Sequence, residues 1–321
     1  MVRNYLPGDG AELLRLWNTA GAKNLYAPQS AEGFDRILLR HPYFSADHTF
    51  VLEDNGAVCG FCNGVTGDDI ARGDVRGYVS CVILDDARDT DENTAALLDA
   101  LEDSFRKKGK TQAAVTCFNP VQLPWIVPGT DGHQHNNMPG IAKDIPLFRR
   151  MLARGYIEAG TEQAMYYDLA GFTMPEAIIQ KERRMAEDGW FVDRYKEGVH
   201  TGLDEMVESL HNSMWSAEVP AAGHSGMNLL VGLHGSTVGG FTGPVYPQPT
   251  GRGYFAGIAV GPEFRGHGLG KLLFYKLCEA EKNCGAAYMS LFTGIDNPAQ
   301  NIYKEVGFEP RRYYAVMTKE L

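Results

Sequence analysis

Two stretches of the chain repeat one alternation of apolar strand, turn, amphipathic helix and apolar strand. In the second, the run Tyr254-Phe255-Ala256-Gly257-Ile258-Ala259-Val260 is apolar enough for a buried strand. Leu269, Leu272, Leu273, Leu277 and Ala280 then recur on one helix face. Gly285 and the strand-like run Ala287-Tyr288-Met289-Ser290-Leu291-Phe292 complete the series. The first stretch has the same order: Val79-Ser80-Cys81-Val82-Ile83-Leu84, a helical pattern from Thr94 to Lys107, Gly109, then Ala113-Ala114-Val115-Thr116-Cys117-Phe118. Arg76-Gly77-Tyr78 matches Arg252-Gly253-Tyr254, and Arg154-Gly155-Tyr156 matches Val306-Gly307-Phe308. Self-similarity of this kind marks a duplicated unit.

The opening segments match as well. Val2-Arg3-Asn4-Tyr5 leads into a helix expected to end near Trp17, and Val192-Asp193-Arg194-Tyr195 into one expected to end near Trp215. The pattern predicts an α/β protein of two domains, 1–168 and 191–321. Residues 169–190 join them, with a polar helix over Met174 to Asp188 that Thr173 is placed to cap. The offset between copies is 176 residues at Arg76 and Arg252 but 152 at Gly155 and Gly307. The first copy therefore carries an insertion, found at 120–143 and rich in Gly, Pro, His and Asn. Long loops of this kind usually work for their place. Two readings stand: a wall or lid of an acceptor pocket with His133, His135 and Asn137 facing substrate, or a rigid strut.

Composition narrows the class. With 321 residues, 44% hydrophobic and 22% charged, the chain is an ordinary globular protein with room for two cores. No apolar run approaches the roughly 20 residues that cross a bilayer, and the first residues lack the apolar core of a signal peptide. A cytoplasmic protein is expected. A net charge of -10 argues against nucleic acid and suits a cationic small molecule. Cys59 and Cys62 form a CxxC inside a strand pattern, where residues three apart face opposite sides. They are expected to be buried thiols, not a metal or redox pair.

The chemistry concentrates at Arg265-Gly266-His267-Gly268-Leu269-Gly270, between the apolar strand and its helix. A glycine-rich turn opening a helix leaves N–H groups unpaired beside the positive end of the dipole, a seat for phosphate. A dinucleotide fingerprint needs G-x-G-x-x-G after the first strand of its unit, and the spacing here is G-x-G-x-G. A P-loop needs a hydroxyl after its lysine, and Leu272 follows Lys271. In the first copy the turn Asp85-Asp86-Ala87-Arg88-Asp89-Thr90-Asp91-Glu92-Asn93 has no glycine and five carboxylates, which would repel a phosphate.

Arg265-x-x-Gly268-x-Gly270, with the downstream run Asn297-Pro298-Ala299-Gln300-Asn301-Ile302-Tyr303-Lys304-Glu305-Val306-Gly307-Phe308, resembles the GNAT family of acyl-CoA-dependent N-acyltransferases. The resemblance covers 191–321 well and 1–168 as a degenerate copy, as in tandem GNAT proteins. It implies two tandem GNAT domains, each a mixed, mostly antiparallel twisted sheet flanked by helices. It also implies acetyl-CoA as co-substrate, with no metal. The backbone of Arg265, Gly266, His267, Gly268, Leu269, Gly270 and Lys271 would hold the pyrophosphate. The backbone of Ile258, Ala259 and Val260 would pair with the pantetheine, and Asn297 and Ala299 would touch the cofactor. Asp296 stands where the family usually has its asparagine. Tyr303 would protonate the departing thiolate; a phenol keeps its proton at neutral pH. Met151 holds that position in the first copy. No carboxylate lies in Tyr254–Val260, so the strand does not supply the general base; His224 and Glu218 are candidates, and a water chain or an acceptor with a low amine pKa would serve equally. The expected activity is acetyl transfer to a primary amine of a small molecule or peptide by a monomer or homodimer. The alternatives are a non-catalytic acyl-CoA-binding regulator and a protein-lysine acetyltransferase.

Overall fold

The computed structural model describes all 321 residues, which gather into two compact units. The first comprises Met1–Ala164, Phe292–Asp296 and Pro310–Leu321. Its strands Val2–Asn4, Thr49–Asp54, Ala57–Val65 and Arg76–Leu84 form an antiparallel ladder. Arg76–Leu84 then pairs parallel with Gln112–Val115, which pairs antiparallel with the last strand of the chain. Helix Asp91–Lys107 lays Leu97, Leu98, Leu101 and Phe105 on one side of this sheet. Leu13, Leu16 and Trp17 of helix Gly10–Thr19 belong to a separate core with Val51, Phe61 and Tyr78. The longer helix starts before the apolar pattern does because the Thr90 hydroxyl accepts the Asn93 N–H and caps it.

The second unit comprises Met165–Leu291 and Asn297–Glu309. Its sheet runs Trp190–Arg194, Leu230–His234, Thr237–Gly243 and Gly257–Val260, all antiparallel. Helix Leu269–Asn283 buries Leu269, Leu272, Leu273 and Leu277 in one core. Helices Leu203–Glu208 and Ser213–His224 bury Leu203, Val207 and Val219 against Val231, Leu233 and Phe241 in another. Each half thus has the mostly antiparallel sheet and flanking helices that the family resemblance implied.

Several details differ from the sequence reading. The final strand, Glu309–Glu320, was grouped with residues 191–321, yet its residues from Pro310 onward belong to the first unit. There it pairs Met317 with Val115 and Glu320 with Gln112. Sequence neighbourhood does not report which sheet completes a terminal strand. The helix expected to end near Trp215 instead begins at Ser213, capped by Asn212, whose side chain accepts from the Met214 and Trp215 N–H groups. Thr173 caps nothing: Pro175 stands at the N-cap of Glu176–Glu187 with no side-chain cap bond.

Cys59 and Cys62 lie in the same core, not on opposite faces. A register shift between Leu52 and Glu53 leaves Cys59 bulged out of the ladder, and one extra residue turns its side chain to the Cys62 side. Both thiols are buried and donate to carbonyls of Leu52 and Leu97, and burial pushes their pKa values up.

The insertion at 120–143 is packed into the first unit. Val121 and Leu123 join the core around Tyr78, Cys81 and Ile83. Trp125 donates to the Asn137 carbonyl at 2.8 Å, and its ring meets those of His135 and Tyr314 at 5.8 and 5.3 Å. His135 and Asn137, expected to face a substrate, are buried.

Candidate functional site

In the second unit the strand pattern read as Tyr254–Val260 is broken. Gly253–Tyr254 and Gly257–Val260 are separate strands, and the Ala256 N–H bonds to the Gly243 carbonyl, opposite which Gly257 also sits. Two residues facing one is a bulge. Gly257 is required there, since a Cβ would run into the Trp215 indole, whose N–H donates to the Ala256 carbonyl at 3.0 Å.

Gly257–Val260 is the edge of its sheet. Arg252 bridges Tyr288 in parallel, but beyond that point the strand gains no second neighbour. The register pairs Phe241 with Ala259, and the Gly261 N–H bonds to the Gly239 carbonyl. In an antiparallel ladder the alternate residues point away. Ile258 and Val260 therefore aim their backbone groups at the open edge, while those of Ala259 are spent on Phe241. The Val260 carbonyl takes the Arg265 Nε–H at 3.1 Å, which ties the arginine to the strand end.

The strand ends in the turn. Gly266 and Gly268 have φ of 88° and 82°, the left-handed region that glycine adopts without strain. The first backbone bond of the following helix runs from the Leu272 N–H to the Gly268 carbonyl. The N–H groups of Gly266, His267, Gly268, Leu269, Gly270 and Lys271 thus have no backbone acceptor. The His267 ring stacks on Trp190 at 4.3 Å, and His234 stacks on Trp190 at the same distance. This stack fixes the turn by its side chain and leaves its backbone free. The Lys271 ammonium pairs with Glu305.

Sequence reasoning missed Lys181. It projects from helix Glu176–Glu187, and its side-chain end lies where a Cβ on Gly268 would stand. It has no carboxylate partner, and burial together with the neighbouring Lys271 charge lowers its pKa. A lysine on a separate polar helix gives no local signal of this position.

Tyr303 lies buried on the short helix Gln300–Val306, its ring 4.6 Å from that of Phe274. Its hydroxyl has no protein partner, and desolvation pushes its pKa up to about 12. Asn297 is exposed, and its side-chain oxygen accepts the Ala299 N–H at 3.0 Å, starting that helix. Ala299 packs at the edge of the core.

The two candidate bases separate. His224 is gripped at both ring nitrogens, by Glu197 at 2.6 Å and Asp204 at 2.9 Å. These carboxylates raise its pKa and favour the charged imidazolium, a poor base. Glu218 is half-buried and accepts the Tyr254 hydroxyl at 2.6 Å.

The corresponding turn of the first unit is closed. Asp85 accepts the Arg88 N–H and Thr90 accepts the Asn93 N–H, so side chains satisfy the turn from within. Arg150, from helix Pro146–Ala153, pairs with Asp89 and Asp91 and bonds the Thr94 hydroxyl beside the helix start. Strand Arg76–Leu84 parts from Gln112–Val115 after Tyr78. Here Val121 and Leu123 of the insertion pack into the core beside that strand. Met151 is wholly buried. A groove of about 500 Å³ also lies in this unit, and its Lys143, Asp144 and Arg150 are paired with Glu158, Arg312 and the two aspartates.

No three or more His, Cys, Asp or Glu side chains converge as a metal site, and no helix is long and apolar enough to cross a membrane.

Residues 175–308 match the Acetyltransferase (GNAT) family model. A segment of 62 residues is 40% identical to a candidate ribosomal protein bS18-alanine N-acetyltransferase of Bacillus subtilis (strain 168), covering 18% of this chain and 41% of that protein. The chain thus spans well under half the length of that curated relative. Among solved structures, the glucosamine N-acetyltransferase region of a fungal multi-domain β-N-acetylglucosaminidase aligns over 99% of this chain and 38% of that one, with TM-score 0.72 and 16% identity. A tandem GNAT protein from the clavulanic acid biosynthesis pathway aligns over 100% of this chain and 98% of that one, with TM-score 0.61 and 16% identity. These two likenesses establish the fold.

Proposed function

We propose that this chain, whose residues 175–308 form a domain of the GNAT family, transfers an acetyl group from acetyl-CoA to a primary amine of a small molecule or peptide. The second unit does this alone. One observation carries the reading: an open strand edge at Ile258 and Val260, with only the Val260 carbonyl taken by Arg265, leads through one short turn into six N–H groups without backbone acceptors. An extended amide chain ending in a pyrophosphate matches that series of donors and acceptors.

Acetyl-CoA supplies the activated acyl thioester. The Gly266–Lys271 backbone holds the pyrophosphate, with Lys181 adding charge beside Gly268. Ile258 and Val260 present the edge that orients the pantetheine, and the Ile258 N–H is placed to polarise the acyl carbonyl. The amine forms the C–N bond as the C–S bond breaks, and its proton leaves to solvent. Tyr303, kept protonated by burial, gives its proton to the sulfur as charge builds there.

Free-thiol release from acetyl-CoA, measured across a panel of amines, amino acids and peptides, tests the reading. Turnover with at least one amine, lost in Tyr303→Phe while coenzyme A still binds, is expected. Tight coenzyme A binding with no turnover on any acceptor would make the chain an acyl-CoA-binding regulator instead.

A further inference from the structure

Glu218 is a half-buried carboxylate with no cationic partner, on helix Ser213–His224. Tyr254 donates to its Oε1 at 2.6 Å, which leaves Oε2 without a donor. The Tyr246 and Tyr254 rings stack at 4.7 Å, and the exposed Tyr246 completes one wall. Trp215, one turn earlier on the same helix, closes the side toward Gly257. The buried Arg252 guanidinium lies near the two tyrosines but is bonded to Ser290 and Gln248 and does not pair with Glu218. A carboxylate framed by aromatic rings and without an ion-pair partner is the arrangement that receives an alkylammonium group.

Its place along the strand decides what that group is. The pyrophosphate turn follows Val260, so the acyl end of a ligand lying on the free edge points back toward Gly257 and Tyr254. Tyr254 stands four positions before Ile258, at most roughly 13 Å of extended chain at about 3.3 Å per residue and less across the bulge. Glu218, held at the Tyr254 hydroxyl, is therefore associated with a strand position set back from Ile258. An acceptor whose amine attacks at Ile258 would reach it with a second group several bonds farther on.

The structure assigns Glu218, Tyr246 and Tyr254 as a subsite for a second ammonium group, which makes the acceptor a diamine or another dication with its two nitrogens several bonds apart. This rests on the acyl-transfer reading for its orientation. The net charge of -10 agrees with a cationic ligand.

The test is calorimetric binding of cadaverine, n-pentylamine and 5-aminopentanoate to the full chain saturated with coenzyme A. Cadaverine should bind roughly tenfold tighter than n-pentylamine, with 5-aminopentanoate weakest. Glu218→Gln keeps an acceptor for Tyr254 and should erase the preference while leaving coenzyme A affinity and the melting temperature unchanged. Tyr246→Ala should reduce it about threefold. Equal affinities in the wild type, or a preference that survives Glu218→Gln, would overturn the assignment. Thiol release run on the same samples reports separately on acyl transfer. Cadaverine preference without turnover upholds the subsite and removes the enzyme reading; turnover without preference does the reverse.

Discussion

The two turns at the ends of Arg76–Leu84 and Gly257–Val260 share a backbone plan and have opposite chemistry. Both lead from an apolar strand to a long helix; Arg76–Leu84 parts from its neighbour after Tyr78, and Gly257–Val260 is the edge of its sheet. In the second, glycine removes the side chains and leaves six N–H groups free. In the first, Asp85 and Thr90 accept the Arg88 and Asn93 N–H groups, and Arg150 pairs with Asp89 and Asp91. An anion seat at a helix start is therefore kept open by what is missing. Once local side chains supply the acceptors, the same fold becomes a scaffold.

The largest break in the comparison should come from Tyr303, which the first half replaces with Met151. Tyr303→Phe should lower kcat by about 100-fold or more, the usual range for a lost general acid, with the coenzyme A Kd within about twofold. Steady-state thiol release and calorimetry check the pair. Burial holds the phenol proton to about pH 12, so the wild-type rate should not fall through pH 10, where an ordinary phenol ionises. A rate loss centred at pH 10 would show that Tyr303 is solvated.

Giving the second turn a carboxylate like those of the first should be the next largest effect. Gly266→Asp should weaken coenzyme A by about 10- to 100-fold. Gly266→Asn, which tolerates the left-handed backbone without charge, should cost much less. Equal losses would mean strain, not repulsion, decides the difference between the turns.

Arg150→Ala tests the first turn from the other side. It leaves Asp89 and Asp91 without their partner and should cost about 1 kcal/mol, or roughly 2–4 °C in melting temperature. Thiol release should not change. The smallest effect is expected of Lys181→Ala: coenzyme A affinity should fall about threefold at low salt and less at high salt.

Much of the site was legible because it is local. The glycine turn, the helix behind it and Tyr303 ahead of Gly307 all sit within one stretch, where spacing fixes geometry. What escaped was non-local or hidden by periodicity. The bulges at Ala256 and Cys59 insert one residue into patterns that still read as continuous strand. The last strand's place beside Gln112–Val115 follows from sheet completion, not from sequence order. Arg150 reaching Asp89 and Asp91 spans about sixty residues, and Lys181 reaches Gly268 from a helix that reads only as a linker. The insertion at 120–143 read equally as a pocket wall or a rigid strut, and composition gave no sign that Val121, Leu123 and Trp125 are core residues.

The central claim is that one of two like turns binds the cofactor. Calorimetric titration of the full chain with coenzyme A measures this directly. One site per chain is predicted, abolished or severely weakened by Gly266→Asp and untouched by Arg150→Ala. Two sites per chain, or binding that survives the first substitution and is lost with the second, would contradict it.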